Sequence, residues 1–138
     1  WITAQHVDHW DEEHAKAVGV LLATLHSISA AWPGSANEQF GSYADQYLVE
    51  AIENLAVTVD LGLINAEQYG LIRKAGERIL AMLAQIARTQ ANFGLIHGDL
   101  HQGNVLFDGM QALVLDYGAF HSFFLYDLGV SLYHATFN

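Results

Sequence analysis

Residues 95–107 read LIHGDLHQGNVLF, and residues 112–118 read ALVLDYG. The first segment contains Asp99, with Asn104 five positions later, and the second contains Asp116 directly after a run of strand-forming residues. Glycines punctuate the stretch after the first apolar run, and apolar residues flank both segments. This pattern predicts a short strand, a polar loop and then a β-hairpin, with the three polar side chains in the loop and at the hairpin's end.

The order and spacing of these residues agree with the pattern of kinases, in which H-R-D-x-x-x-x-N precedes D-F-G. A carboxylate beside an attacking hydroxyl orients it and accepts its proton, and we expect this role for Asp99. Mg²⁺ prefers oxygen ligands, so the amide oxygen of Asn104 and the carboxylate of Asp116 suit it. A tight hairpin is expected to bring these two ligands to the same end of neighbouring strands.

Two further segments extend the pattern: LLATLHSISAAWP at residues 21–33 and LYDLGVSLY at residues 125–133. Together with HGDLHQGNVLF and LDYG, they resemble the aminoglycoside phosphotransferase/choline kinase family of kinase-like small-molecule phosphotransferases. The resemblance covers most of the chain, from about Val18 to Tyr133. It implies an α+β, mostly α fold: a protein-kinase-like C-terminal lobe with a helical bundle and a small β-hairpin at the catalytic loop.

The resemblance also implies a role for each residue that matches the family's motifs. By it, Asp99 is the catalytic base, and Asn104 and Asp116 hold magnesium and bind the nucleotide. ATP is the implied co-substrate and Mg²⁺ the implied cofactor.

Three other residues receive roles by the same resemblance. His97 is interpreted as a structural residue packed beneath the site, and Asp127 as a structural aspartate that braces the catalytic loop. His101 lies two positions after Asp99 and is interpreted as a further cofactor-binding residue, in contact with a phosphate or with the substrate. Independently of the resemblance, four aromatic residues near this segment are interpreted as packing residues or, for some of them, as lining of an acceptor pocket: Phe120, Phe123, Phe124 and Tyr126.

The function implied is transfer of the γ-phosphate of ATP to a hydroxyl of a small acceptor. Acid-rich helices favour an amine-bearing acceptor such as an aminoglycoside, choline or homoserine. Three alternatives stay open: a protein serine/threonine kinase of the same fold, a truncated binding remnant without catalysis, and a metal or amine sensor.

The family's nucleotide lobe, with its phosphate-covering loop, strand lysine and partner glutamate, has no match in residues 1–138. We therefore expect residues 1–138 to be the C-terminal, substrate-binding and catalytic lobe, with the N-terminal nucleotide lobe outside this chain. No lysine or arginine follows Arg88, so basic residues that hold ATP are expected in that other lobe. The lobe alone is expected to bind ATP weakly and to be nearly inactive.

Composition narrows the function classes further. The 138 residues include 15 acids against 5 lysines and arginines, which gives a formal net charge of −10. Such a surface repels nucleic-acid phosphates and anionic lipids, so neither is an expected partner. The chain has no cysteine, which excludes zinc ribbons and cysteine nucleophiles. Its first residues lack a signal-peptide pattern, and we expect a cytoplasmic protein.

Hydrophobic spacing predicts the remaining elements. Helices are expected at 11–29, 43–60 and 65–89, a loop at 33–42, strands at 94–97, 105–107 and 112–115, and a last helix from about Asp127. In the third helix, Asn65 and Gln68 have capping-box spacing, and Gly76 is interpreted as a close helix crossing. The buried residues expected in that helix are Ile72, Ile79, Leu80, Leu83 and Ile86.

Overall fold

The computed structural model describes residues 3–32 and 45–137. They belong to two compact units, the first made of residues 3–32 and 89–137 and the second of residues 45–88. The predicted loop at 33–42 and the predicted helix start at Tyr43 lie outside the described residues. The elements are α1 (Glu12–Ala31), α2 (Gln46–Asn54), α3 (Ala56–Asp60), α4 (Ala66–Leu83), β1 (Phe93–Ile96), β2 (Val105–Asp108), β3 (Gln111–Val114), β4 (Phe120–Phe123) and α5 (Leu125–Phe137).

Helix α1 begins at a side-chain cap. The Asp11 carboxylate accepts a hydrogen bond from the backbone N–H of His14 at 3.0 Å. That bond, with a second one from the His14 ring, lowers the pKa of Asp11 below its usual value. Val18 and Leu22 lie on the buried face of the helix, as their spacing predicts. The helix continues two residues beyond the expected end, to Ala31.

The predicted β-hairpin is present as β2 and β3, which pair antiparallel with Val105 opposite Val114. Its apolar side chains join those of α1 in one core. The buried members of this core are Val18, Leu22, Leu100, Val105, Phe107 and Ala112. Because α1 packs on β3, the hairpin is held against a long helix rather than standing alone.

A second antiparallel pair, β1 with β4, was not fully predicted. Phe93 lies opposite Phe123, and Ile96 lies opposite Phe120. The first strand was expected from the sequence, whereas Phe120 and Phe123 were interpreted as packing residues or as lining of an acceptor pocket and not as parts of a strand. Between β1 and β2 runs a segment that we call the polar loop, residues 97–104, which ends in a 3-10 turn at Gln102–Asn104.

The second unit contains α2, α3 and α4. The predicted capping box is confirmed: Gln68 N donates to Asn65 Oδ1 and Asn65 N donates to Gln68 Oε1, both at 2.9 Å. The single helix expected at 43–60 is divided at Leu55, and α4 ends at Leu83 instead of about Thr89.

The expected burial along the third helix is wrong, since Leu80 and Leu83 are only half-buried and the three isoleucines are exposed. Ile72, Ile79 and Ile86 are 38%, 47% and 48% exposed. Helical spacing placed them on a common stripe, but within this unit the close packing of α4 occurs at Gly76, which is buried.

Taken together, long helices with two small antiparallel strand pairs confirm the predicted α+β, mostly α class. Across residues 3–32 and 45–137, no helix is both long and apolar enough to cross a membrane.

The close crossing at Gly76 generates the first prediction. A Cβ atom added there would lie 2.0 Å from Ile52 Cδ1, whereas one added at Gly70 of the same helix meets nothing within 4 Å. Gly70→Ala should raise the free energy of unfolding by up to about 1 kcal/mol through helix propensity. Gly76→Ala makes the same gain but must displace the Ile52 side chain, so it should be less stable than Gly70→Ala by about 1 kcal/mol or more. Denaturant unfolding measures both, and equal stabilisation by the two variants would contradict the close crossing.

Candidate active site

The polar loop is fixed to α5 by a buried carboxylate. Asp127, in the first turn of α5, is fully buried. Its Oδ1 accepts from the Gly98 N–H at 2.8 Å, and its Oδ2 accepts from the His97 N–H at 3.0 Å. One turn later, Ser131 Oγ donates to the Leu100 carbonyl at 2.7 Å. The helix therefore holds the loop at two points through polar bonds that are shielded from water.

A third donor reaches Asp127 from α1. His26 Nε2 lies 3.0 Å from Asp127 Oδ2, and the His26 ring stacks on Phe124 with centroids 4.5 Å apart. No role for His26 was predicted from the sequence. A signal was present, because His26 follows Leu22 by four residues and so puts a polar ring on the buried face of α1.

Both ring nitrogens of buried His97 have partners. Nε2 donates to the Leu115 carbonyl at 2.8 Å, and Nδ1 accepts from the Asp99 N–H at 3.2 Å. These roles require a proton on Nε2 and a neutral ring. His97 thus links the polar loop to the end of β3, and it lies under the loop rather than facing solvent.

Asp99 presents its carboxylate on the outer side of the loop, with 60% of the side chain exposed. Asn104 Nδ2 donates to the Asp99 carbonyl at 2.9 Å and to Asp99 Oδ2 at 3.3 Å. With its nitrogen turned to Asp99, Asn104 keeps its amide oxygen for a cation. His101 Nδ1 accepts from the Gly103 N–H at 3.0 Å, so Nε2 carries the proton and faces Asp99 Oδ2 at 3.5 Å.

The structure brings Asn104 and Asp116 to the same end of the hairpin. Leu115 N donates to the Asn104 carbonyl at 2.8 Å, and Asp116 is the next residue. Asp116 is exposed and has a φ of 51°, a left-handed conformation in which aspartate is found more often than most residues. Uncommon backbone conformations of this kind concentrate at functional sites.

The oxygen donors of Asn104 and Asp116 fit a hard divalent cation. Within the part of the chain that the structure describes, no three His, Cys, Asp or Glu side chains converge on a possible metal site. Mg²⁺ does not require such a cage, because it is usually bound by one or two protein oxygens together with phosphate oxygens and water. The residues present therefore fit a cation that arrives with a phosphorylated ligand.

Tyr117 and Gly98 both lie next to His97. The Tyr117 ring meets the His97 ring edge-on at 5.2 Å. Burial raises the pKa of Tyr117 to about 12, and the negative charge of Asp127 adds to the effect. Gly98 has a φ of +84°, and a Cβ there would lie 2.5 Å from the Phe120 ring, so both conformation and space require glycine.

A cavity of about 390 Å³ opens beside Asp99. It is lined by Gly98 and Asp99 of the polar loop and by five residues of α5. The α5 residues that line it are Tyr126, Gly129, Val130, Tyr133 and His134. Its volume lies within the range of small-molecule sites, so this carboxylate borders a space that can hold a ligand.

The family model described as APH, "Phosphotransferase enzyme family", matches residues 1–138. The chain belongs to this family. The resemblance carried by the motifs around Asp99, Asp116 and Asp127 is thereby confirmed.

Among solved structures, the APH-family chain is similar to one described as "Amicoumacin kinase hAmiN in complex with AMP-PNP, Ca2+ and Ami". The TM-score is 0.77 at 17% sequence identity, and the match covers 97% of this chain and 38% of that one. At this identity the similarity shows the fold alone, and it confirms the predicted kinase-like architecture. The chain spans well under half the length of that kinase. No curated protein gives a significant match.

The contacts of Asp127 predict a large effect on the stability of this APH-family chain. Asp127→Ala should lower the free energy of unfolding by about 3 kcal/mol, because the N–H groups of His97 and Gly98 stay buried without acceptors. Asp127→Asn keeps one acceptor oxygen and should lose less. Asp108→Ala, at an exposed position in β2, is the control and should change stability by under about 0.5 kcal/mol. Similar losses of unfolding free energy for the Asp127 and Asp108 variants would contradict the role of Asp127 in holding the polar loop.

Tyr117 predicts an alkaline effect on stability. Its pKa in the folded chain, about 12, exceeds the value of about 10 for an unfolded chain. The resulting stabilisation is complete below about pH 10 and is lost as the pH rises towards 12, because only the unfolded chain then ionises readily. The free energy of unfolding should fall more steeply across this window for the native protein than for Tyr117→Phe. Parallel pH profiles would contradict this prediction.

Proposed function

We propose that residues 1–138 form the catalytic and substrate-binding lobe of a phosphotransferase that moves the γ-phosphate of ATP to a hydroxyl of a small acceptor. Membership of the APH family and the kinase-like fold support phosphotransfer. The single observation that carries the proposal is the position of Asp99. Its carboxylate is exposed at the rim of a ligand-sized cavity and is held by Asn104.

In this proposal an acceptor in the cavity directs its hydroxyl to the Asp99 carboxylate. The hydroxyl oxygen attacks the γ-phosphorus, its proton passes to Asp99, and the bond from that phosphorus to the β–γ bridging oxygen breaks, so ADP leaves. Asn104 Nδ2 touches Asp99 Oδ2 and so limits rotation of the carboxylate. The carboxylate at the cavity is thereby kept in one orientation for accepting a proton.

Asn104 and Asp116 are the residues proposed to hold Mg²⁺. When bound, the ion supplies positive charge to phosphate oxygens, which this part of the protein otherwise lacks because no lysine or arginine follows Arg88. The nucleotide-binding role of His101 stays a prediction. Its Nε2–H faces Asp99, which supports a part in orienting the carboxylate.

The nucleotide lobe is proposed to lie outside this chain. Two observations support this division: the chain covers 38% of the similar kinase chain, and its sequence shows no strand lysine with a phosphate-covering loop. A cavity beside Asp99 in a chain of this family favours a small acceptor over a peptide. The acidic balance of the chain and the Asp99 carboxylate favour an acceptor that bears an amine.

The test uses the intact protein that contains residues 1–138, with ATP, Mg²⁺ and a panel of aminoglycosides, amino alcohols and a serine peptide. Asp99→Asn should lower kcat by about 10² to 10⁴-fold, because the proton acceptor is removed. Asp108→Asn, which alters an exposed carboxylate on β2, should keep wild-type turnover.

Near-normal turnover by Asp99→Asn would show that Asp99 is not the catalytic base. Transfer to the peptide with none to any small acceptor would instead favour a protein kinase. Absence of transfer to every acceptor, with the wild-type protein folded, would favour a binding remnant.

A further inference from the structure

Helix α5 contacts the polar loop at a third point, which the proposed function does not use. Seven residues after Asp127, the ring of His134 lies against the ring of His101, with centroids 4.9 Å apart and planes tilted by 34°. Positions 127, 131 and 134 are four and three residues apart, so they share one face of the helix. Asp127 and Ser131 hold the earlier part of the loop by hydrogen bonds, and His134 extends this row of contacts to a residue that faces Asp99.

The His101 ring is placed to bond to the carboxylate of the proposed base. Its Nδ1 accepts a hydrogen bond from the Gly103 N–H at 3.0 Å, so the proton is on Nε2. That Nε2 lies 3.5 Å from Asp99 Oδ2, the oxygen to which Asn104 Nδ2 donates at 3.3 Å. The two donor nitrogens are 3.3 Å apart, so they approach the same oxygen side by side. Within residues 3–32 and 45–137 no hydrogen bond reaches Asp99 Oδ1, which leaves that oxygen for a proton.

His101 depends on packing to keep this orientation. A bond of 3.5 Å is longer than usual, and the Asp99 side chain that accepts it is 60% exposed, whereas the His101 side chain is 29% exposed. Water therefore competes for the carboxylate, and this bond alone does not fix the imidazole. Gly103 leaves room for the ring, because a Cβ added there would lie 2.8 Å from His101 Cε1. The ring of His134 then restricts the rotation of the imidazole that occupies this room.

We propose that His134 is a positioning residue for phosphotransfer, whose ring holds His101 in the orientation in which Nε2–H meets Asp99. The carboxylate then keeps Oδ2 turned to its two donors and Oδ1 available for the proton that it accepts. The role in the reaction rests on the proposed function. The hold on the His101 ring does not, because it follows from the contacts of the folded chain alone.

Three substitutions separate ring packing from other effects on α5. His134→Ala removes the ring, whereas His134→Phe keeps a flat ring of similar size without its nitrogens. Thr136→Ala is the matched control, because Thr136 lies two residues further along the helix, is exposed, and donates to the Leu132 carbonyl of the same helix. Positions two residues apart do not share a helix face. Denaturant unfolding of each variant of the intact protein verifies that it is folded.

The first measurement needs no turnover. In the intact protein with nitrogen-15-labelled histidine, long-range proton–nitrogen spectra report which ring nitrogen carries the proton, and His101→Ala identifies the His101 signals. At a pH of about 8, where an ordinary histidine is neutral, wild type, His134→Phe and Thr136→Ala should show the His101 proton on Nε2. His134→Ala should shift both nitrogen signals towards those of a mobile imidazole, in which the two tautomers average. An unchanged His101 spectrum in His134→Ala, or an equal shift in His134→Phe, would overturn the assignment.

The second measurement is steady-state kinetics with ATP, Mg²⁺ and the acceptor that the panel identifies. His134→Ala should lower kcat about tenfold and leave the acceptor KM within about twofold, because a misplaced catalytic group loses rate while binding is kept. His134→Phe should recover most of the rate. The double variant with His101→Ala should be no slower than His101→Ala alone, because His134 acts through His101.

Two kinetic outcomes would contradict this role. A raised acceptor KM with normal kcat would make His134 a direct contact of the acceptor in the cavity that it borders. Additive losses in the double variant would show that His134 does not act through His101. Either result overturns the proposal.

The two measurements together distinguish this inference from the proposed function. If His134→Ala releases the His101 ring while wild type transfers phosphate to no acceptor, the proposed function fails and the hold on His101 stands. If wild type transfers phosphate but His134→Ala changes neither the His101 spectrum nor kcat, the proposed function stands and the role of His134 fails.

Discussion

The buried carboxylate of Asp127 determines how α1, the polar loop and α5 of the first unit are joined. Removing an ionised carboxylate from water is costly unless donors replace the lost hydration. Asp127 is fully buried, and its donors are the N–H groups of His97 and Gly98 and the ring of His26, at 2.8 to 3.0 Å. A single charge therefore requires α1, the polar loop and α5 to meet in one arrangement.

The placement of the candidate site follows from that arrangement. His97, held through its backbone by Asp127, donates from its ring to the Leu115 carbonyl. Leu115 in turn donates to Asn104 and is followed by Asp116. The proposed base and both proposed metal ligands are therefore connected to Asp127 through short hydrogen-bonded steps. The side chains of Asp99 and Asp116 are exposed and that of Asn104 is half-buried, while His97 and Asp127 lie buried beneath them.

The sequence was sufficient for features set by local spacing. The hairpin, the capping box at Asn65 and the proximity of Asn104 to Asp116 follow from residues a few positions apart or joined by one tight turn. The strand β4 was missed because four residues reading FHSF offer little alternation to recognise. The link from His26 to Asp127 was missed because 101 positions separate its partners. Burial at Ile72 was overestimated because a helical stripe does not specify which neighbour, if any, covers it.

Helix α5 holds the polar loop with one face and lines the cavity with another. Asp127 and Ser131, one turn apart, hold the polar loop. Tyr126, Gly129 and Tyr133 line the cavity. Because side chains three or four residues apart share a face, a substitution on the cavity face changes the cavity and leaves the bonds to the loop in place. Under the proposed function, one face of the helix positions Asp99 and the other limits which acceptors fit beside it.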